Sequence, residues 1–133
     1  MNMAPTDADW RLGALHAAIE RLSTRRFAKD IGLADEFEPD AIGAGSEAAD
    51  LFSGAEAVHQ HFAANMGKPH TVRWVWDLLE TRIEGDIGWF FAQGNAMVGL
   101  DGVETPVPFR FSGVLSWRDG DWRWRLLHGA EPS

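Results

Sequence analysis

His128 is the side chain best suited by type and setting to move a proton, standing near the end of a strongly apolar terminal strand pattern. A neutral imidazole there can accept a proton from an activated carbon or hydroxyl, or hydrogen-bond a ligand carbonyl through its other nitrogen. The structural alternative is a buried histidine whose ring nitrogens are satisfied by a backbone carbonyl or a carboxylate. Asp77 is the second catalytic candidate, with Arg73 or Arg82 as its partner; the alternative is an ion pair on the outer face of a sheet. Around these polar groups the chain is rich in flat rings. Trp74, Trp76, Trp89, Phe111 and Trp124, with His128, are the candidate ligand-binding set, and Trp117 and Trp122 belong to the same aromatic population. Such walls suit an apolar or aromatic ligand, although each ring taken singly can equally be core packing.

Several chemistries are excluded by what the chain carries. It has seven Trp and eight Phe but no Tyr and no Cys, which removes phenolic acids, thiolate nucleophiles, thiolate metal sites and disulfides. His59 and His61 stand two apart on a helical pattern and project about 200° from each other, so they cannot chelate one metal, and no metal site is expected. Gly43 and Gly45 lack the lysine and the strand-then-helix setting of a phosphate loop, and no cofactor is expected.

Hydrophobic periodicity indicates the helices and strands that carry these residues. Thr6 with Asp9 makes a capping box, and Leu12, Leu15, Ile19 and Leu22 recur on one face of a helix predicted over 7–28. Gly32, Pro39, Gly43 and Gly45 break the pattern over 30–53, where short helical turns joined by loops are expected. Ser53 with Glu56 is a second capping signal, and Val58, Phe62 and Met66 give the face of a helix ending near Gly67. Beyond Pro69 the period becomes alternating. Val72, Trp74, Trp76 and Leu78 share one strand face; Gly85-Asp86 turns the chain into a strand over 87–98; Asp101-Gly102 turns it again. Pro106 and Pro108 confine the next segment to an edge or an irregular entry.

The last hairpin can be read in register, because Asp119-Gly120 favours a two-residue type I′ turn. Arg118 then faces Asp121, Trp117 faces Trp122, Leu115 faces Trp124, Gly113 faces Leu126, Phe111 faces His128 and Phe109 faces Ala130. This puts His128 on the apolar face. The other face carries Arg110, Ser112, Ser116, Arg118, Arg123 and Arg125, relieved only by Val114 and Leu127.

Helices first and an antiparallel sheet after define an α+β domain. The segment Gly85-Asp86-Ile87-Gly88-Trp89 resembles the strand opening of the SnoaL-like branch of the nuclear transport factor 2-like (cystatin-like fold) superfamily. Asp119-Gly120-Asp121-Trp122, with His128 and Pro132, is similar to its closing strand. Phe37-Glu38-Pro39-Asp40-Ala41, then Gly45, then Phe52-Ser53-Gly54-Ala55-Glu56 resembles its linker and third helix. The chain departs from that pattern at Ala130, where a serine is usual, and at Arg125, where an apolar residue is more common. The resemblance implies one domain over 1–133, a cone in which a curved sheet wraps the helices with a pocket on its concave face, and a homodimer through the outer sheet face. Arg110, Arg123 and Arg125 are the expected interface arginines, with Glu80 or Glu84 opposite.

The superfamily includes isomerases, dehydratases, cyclases and epoxide hydrolases beside binding and association modules that catalyse nothing, and fold does not choose among them. Ketosteroid isomerase and scytalone dehydratase patterns lean on tyrosines, which this chain lacks. An epoxide hydrolase needs an Asp, Arg, Asp cluster, of which Asp77 and Arg73 are a fragment. The leading expectation is a small-molecule-binding domain; the alternatives are a small acid/base enzyme using His128 and a non-catalytic dimerisation module. A formal net charge of −8 repels nucleic acid and anionic lipid, and without a signal-like start or a long apolar run the expected location is the cytoplasm.

Overall fold

The computed structural model describes residues 7–132. Thr6, half of the expected capping box, lies outside them. Helix α1 (Asp7–Phe27) buries Leu15, Ala18, Ile19 and Leu22, while Leu12 at the start of the stripe remains exposed. A 3₁₀ helix comes next at Ile31–Glu36, capped where the Asp30 carboxylate accepts the Gly32 amide at 2.9 Å.

The segment after it corrects the expectation of helical turns. It forms strands β1 (Phe37–Ala44) and β2 (Leu51–Ser53), paired antiparallel with each other, and β1 also runs parallel to the last strand. Its glycines and proline suggest loop locally, but the pairing supplies the hydrogen bonds that local propensity withholds. Pro39 sits where the β1 register shifts, between Phe37 and Ile42. Helix α2 (Ala55–Met66) buries Val58, Phe62 and Met66 as its spacing predicts. The expected Ser53 cap is not made: Ser53 belongs to β2, paired with Ile42, and Gly54 is the N-cap without a side-chain bond.

Strands β3 (Thr71–Glu84), β4 (Ile87–Leu100), β5 (Val103–Arg118) and β6 (Asp121–Ala130) form a meander, giving a curved, unclosed six-stranded sheet in the order β2-β1-β6-β5-β4-β3. All three predicted turns close two-residue hairpins, pairing Glu84 with Ile87, Leu100 with Val103 and Arg118 with Asp121. Asp119 and Gly120 both have positive φ, 52° and 84°, as a type I′ turn requires. β5 already includes the two prolines; until the β6 pairing starts at Arg110 it has β4 on one side only, and that half-edge accommodates Pro106 and Pro108.

Two bulges change which residues face the core. In β3 the register slips between Trp76 and Leu78, so Leu79 and Ile83 pack against the core while Leu78 turns outward. Gly94 faces this slip; a Cβ there would lie 2.1 Å from the Val75 carbonyl oxygen, so only glycine permits the strands to approach. In the last hairpin the expected register holds from the turn to Leu115 opposite Trp124 and then shifts by one. Val114 pairs with Leu126, Gly113 with Leu127, Ser112 with His128, and Phe111 with Gly129. Leu127 is therefore buried, and Leu126 and His128 are exposed on the outer face.

The core lies between α1, α2 and the concave sheet face, centred on Leu15, Leu33, Val58, Leu115, Trp122 and Trp124. Polar contacts lock α1 to the sheet: the Trp122 indole donates to the Arg11 carbonyl at 2.7 Å, and the Trp74 amide donates to Ser23 Oγ at 2.8 Å. No helix among the described residues is long and apolar enough to cross a membrane.

Candidate functional site

A cavity of about 230 Å³ opens where the end of α1, the β1–β2 loop and α2 meet the concave face. α1 contributes Leu22 and Arg26, the loop contributes Ser46 and Asp50, and α2 contributes His61, Phe62 and Asn65. The sheet closes it with Trp74 from β3, Ala96 and Val98 from β4, Val107, Phe109 and Phe111 from β5, and Leu127 and Gly129 from β6.

The aromatic wall is rigid because its rings brace each other edge to face. Trp74 and Phe111 have centroids 4.7 Å apart at 67°, and Phe109 and Phe111 are 5.0 Å apart at 70°. Across the cavity the His61 imidazole lies 4.7 Å from the Phe52 ring, and the Asn65 side-chain amide donates to the His61 carbonyl at 2.9 Å.

Polar groups enter from the helix side. Arg26 is 5% exposed, and among the described residues its guanidinium has no hydrogen-bond or ion-pair partner, its Nη1 lying buried without an acceptor. Burial holds its pKa below the ordinary guanidinium value. The neighbouring cations on α1 are paired: Arg21 with Glu36 at 2.6 Å and Asp121 at 3.1 Å, Arg25 with Glu36 at 3.5 Å. Burial also pushes the His61 pKa below the usual histidine value, with Arg26 and Lys68 acting in the same direction and Asp50 opposing. His70, at the same cavity, is lowered by burial and then by Arg26, Lys68 and Lys29. Both imidazoles are therefore neutral at pH 7. The Trp74 indole N–H is also buried without an acceptor.

The structure separates the residues singled out by sequence. Trp74 and Phe111 line the cavity. Trp76 packs edge-on to Phe111 at 5.6 Å and faces a neighbouring groove with His16 and Ser23. Trp124 is fully buried between Phe37 and Phe90, with centroids 5.8 and 5.7 Å away, and is core. Trp89 is 39% exposed on the outer face and does not reach the cavity. His128 and Asp77 stand away from the cavity, against the expected register: the β6 bulge turns His128 outward, and Asp77 is the exposed extra residue of the β3 bulge. Nor do the expected partners reach Asp77: Arg73 binds Glu104 at 2.8 Å and Arg82 binds Glu80 at 3.1 Å.

Sequence reasoning missed Arg26 and His61. The signal for Arg26 was present, since it stands four residues after Leu22 and extends the buried stripe of α1 with a charge. His61 was considered only with His59 for metal chelation; helical spacing sends His61 into the cavity and leaves His59 exposed.

A family model described as a SnoaL-like domain matches residues 8–130. No curated protein matches the chain. Among solved structures, a nuclear transport factor 2-like protein from Streptomyces avermitilis, described as a candidate dehydratase, superposes with a TM-score of 0.84 at 12% identity, covering 93% of this chain and 97% of that one. A protein of unknown function from Mycobacterium tuberculosis gives a TM-score of 0.82 at 17% identity over 99% of this chain and 78% of its own. A nuclear transport factor 2-like protein of unknown function from Pseudomonas putida gives 0.76 at 19% identity over 90% and 85%. At these identities the likeness concerns the fold.

Proposed function

Since the chain belongs to the SnoaL-like domain family, whose fold supplies a cavity without fixing its occupant, we propose that it binds a small ring-bearing molecule between α2 and the concave sheet face. The observation that carries this reading is the braced wall of Trp74, Phe109 and Phe111 facing about 230 Å³ of empty space. A packed core leaves no void of that size, and flat, immobile rings offer contact area at little entropic cost. Ligand sites usually run from about 300 to 1,000 Å³, so this one suits one or two fused rings and not a four-ring steroid. Ligand-observed NMR with naphthol tests it: saturable binding is expected, and Val98→Phe, which fills the cavity from β4, should remove binding while the fold persists. Naphthol binding unchanged in Val98→Phe would place the ligand elsewhere and sink the reading.

A second reading, an acid/base enzyme, rests on His61 in place of His128. A neutral imidazole inside an apolar cavity is a competent base, and Asp50 lies close enough to stabilise its protonated form. The assay is deuterium exchange of the α-protons of β-tetralone. Catalysed exchange that His61→Gln abolishes, with binding retained, is the expected enzyme result; exchange at the uncatalysed rate in the wild type would leave a binder.

We also propose a homodimer through the outer sheet face, supported by an apolar row that crosses four strands. Trp89 on β4 pairs with Val114 on β5, Val114 with Leu126 on β6, and Leu126 with Ile42 on β1.

A further inference from the structure

Resting on the ring-binding reading, we propose that the occupant of the cavity is a carboxylic acid carried on one or two fused rings, its carboxylate held by Arg26. A cation taken out of water without a counterion costs several kcal/mol, and proteins ordinarily avoid it by pairing or by leaving the group at the surface. Arg26 does neither: it is 5% exposed, lines the cavity, and its guanidinium has no partner among the described residues. Its position contrasts with Arg21 and Arg25, five residues before it and adjacent to it on the same helix, which both bind Glu36.

A second orphan points to the same chemistry. The indole N–H of Trp74, another cavity residue, is buried without an acceptor. Both unsatisfied groups are donors, so what they lack is an acceptor, and a carboxylate offers two oxygens with the planar geometry a guanidinium prefers. The carboxylates already at the cavity do not fill that role. Glu131 is solvent-exposed, and Asp50 Oδ2 accepts the Glu47 amide at 3.1 Å. His61 and His70 are neutral at pH 7, so among the lining residues Arg26 carries the lasting positive charge, which suits a monoanion better than a strongly hydrated phosphate dianion.

Titration calorimetry of the whole chain with naphthoate and its neutral isostere naphthamide tests the proposal. Naphthoate should bind roughly 10- to 100-fold more tightly, the range expected for a charge-assisted hydrogen bond. Arg26→Met should erase that preference and leave naphthamide affinity unchanged, while Arg26→Lys, which keeps the charge but loses the fork, should retain part of it. Equal affinity of the wild type for the two probes would overturn the carboxylate and leave ring binding standing. Binding of neither probe would overturn both. Should Arg26→Met fail to fold, the wild-type ratio and the Lys variant decide the matter.

Discussion

Two neutral histidines facing one buried arginine make the cavity sensitive to pH. Burial lowers the pKa of His61 and of His70 in the folded chain, so below the ordinary histidine pKa of about 6.5 the unfolded chain binds more protons than the folded one. Stability is therefore full above that value, falls as pH drops through it, and levels off once the folded-state imidazoles are themselves protonated. The groups around His61 are Arg26 from α1, Asp50 from the β1–β2 loop and Lys68 beyond α2, and burial outweighs the opposing effect of Asp50. Urea denaturation at pH about 7.5 and about 5.5 should show a larger loss of midpoint in the wild type than in His61→Gln. Equal losses would mean that His61 titrates as a solvent histidine. The same depression implies proton uptake when a carboxylate binds near His61 in that window, visible as binding heats that vary with the ionisation enthalpy of the buffer.

Among the secondary-structure elements, strand existence was legible and strand phase was not. Alternation of apolar residues marked β3 to β6, and Asp119-Gly120 set the last turn, because these signals are local. Each bulge adds one residue to one strand, and that residue carries no composition of its own: Asp77 and Arg125 are as polar as any outward position. Everything beyond them inverts, which moved His128 and Leu126 out and Leu127 in. β1 and β2 were illegible for a different reason: β1 is held by pairing with β6 more than eighty positions later in the chain, as between Ile42 and Leu126, and β2 is held only through β1. The bulged register can be tested at both slips. His128→Gln should change stability by no more than about 0.5 kcal/mol and leave naphthol binding intact, as for any exposed strand residue; a selective loss of binding would restore the unbulged register. Gly94→Ala should destabilise by about 1–3 kcal/mol in chemical denaturation, because its Cβ meets the β3 backbone and that backbone cannot move aside as a side chain would. A neutral result would mean that the β3 slip is not held by this approach.

For the molecule as a whole, the outer sheet face presents more apolar surface than the last hairpin alone implied, because Trp89, Phe91 and Ile42 lie on it beside Leu126, which the β6 bulge exchanges for Leu127. Trp89, Leu126 and Ile42 in the row across the sheet are 39%, 37% and 49% exposed, and Phe91 beside Trp89 is 40% exposed. A contiguous apolar patch on a strand surface is the kind of feature that marks an interaction site. Arg110, Arg123 and Arg125, expected as the interface residues, are held within the chain at its margin: Arg110 donates to Gln93 at 2.9 Å, Arg123 to the Asp35 carbonyl at 3.0 Å, and Arg125 lies 4.0 Å from Asp40. That arrangement matches an apolar centre with a polar rim, in which the rings supply affinity and the arginines supply orientation. A two-fold axis through the sheet face would make the contact self-complementary, so one charge placed at its centre acts twice. Light scattering of the wild type should report a dimer, and Trp89→Glu should shift it to monomer with little change in naphthol binding, because Trp89 faces away from the cavity. A wild-type monomer at high micromolar concentration would remove the dimer altogether. A Trp89→Glu protein that stayed dimeric would move the contact to the helical side or to the free edge of β3, where Val75 and Leu78 are also exposed.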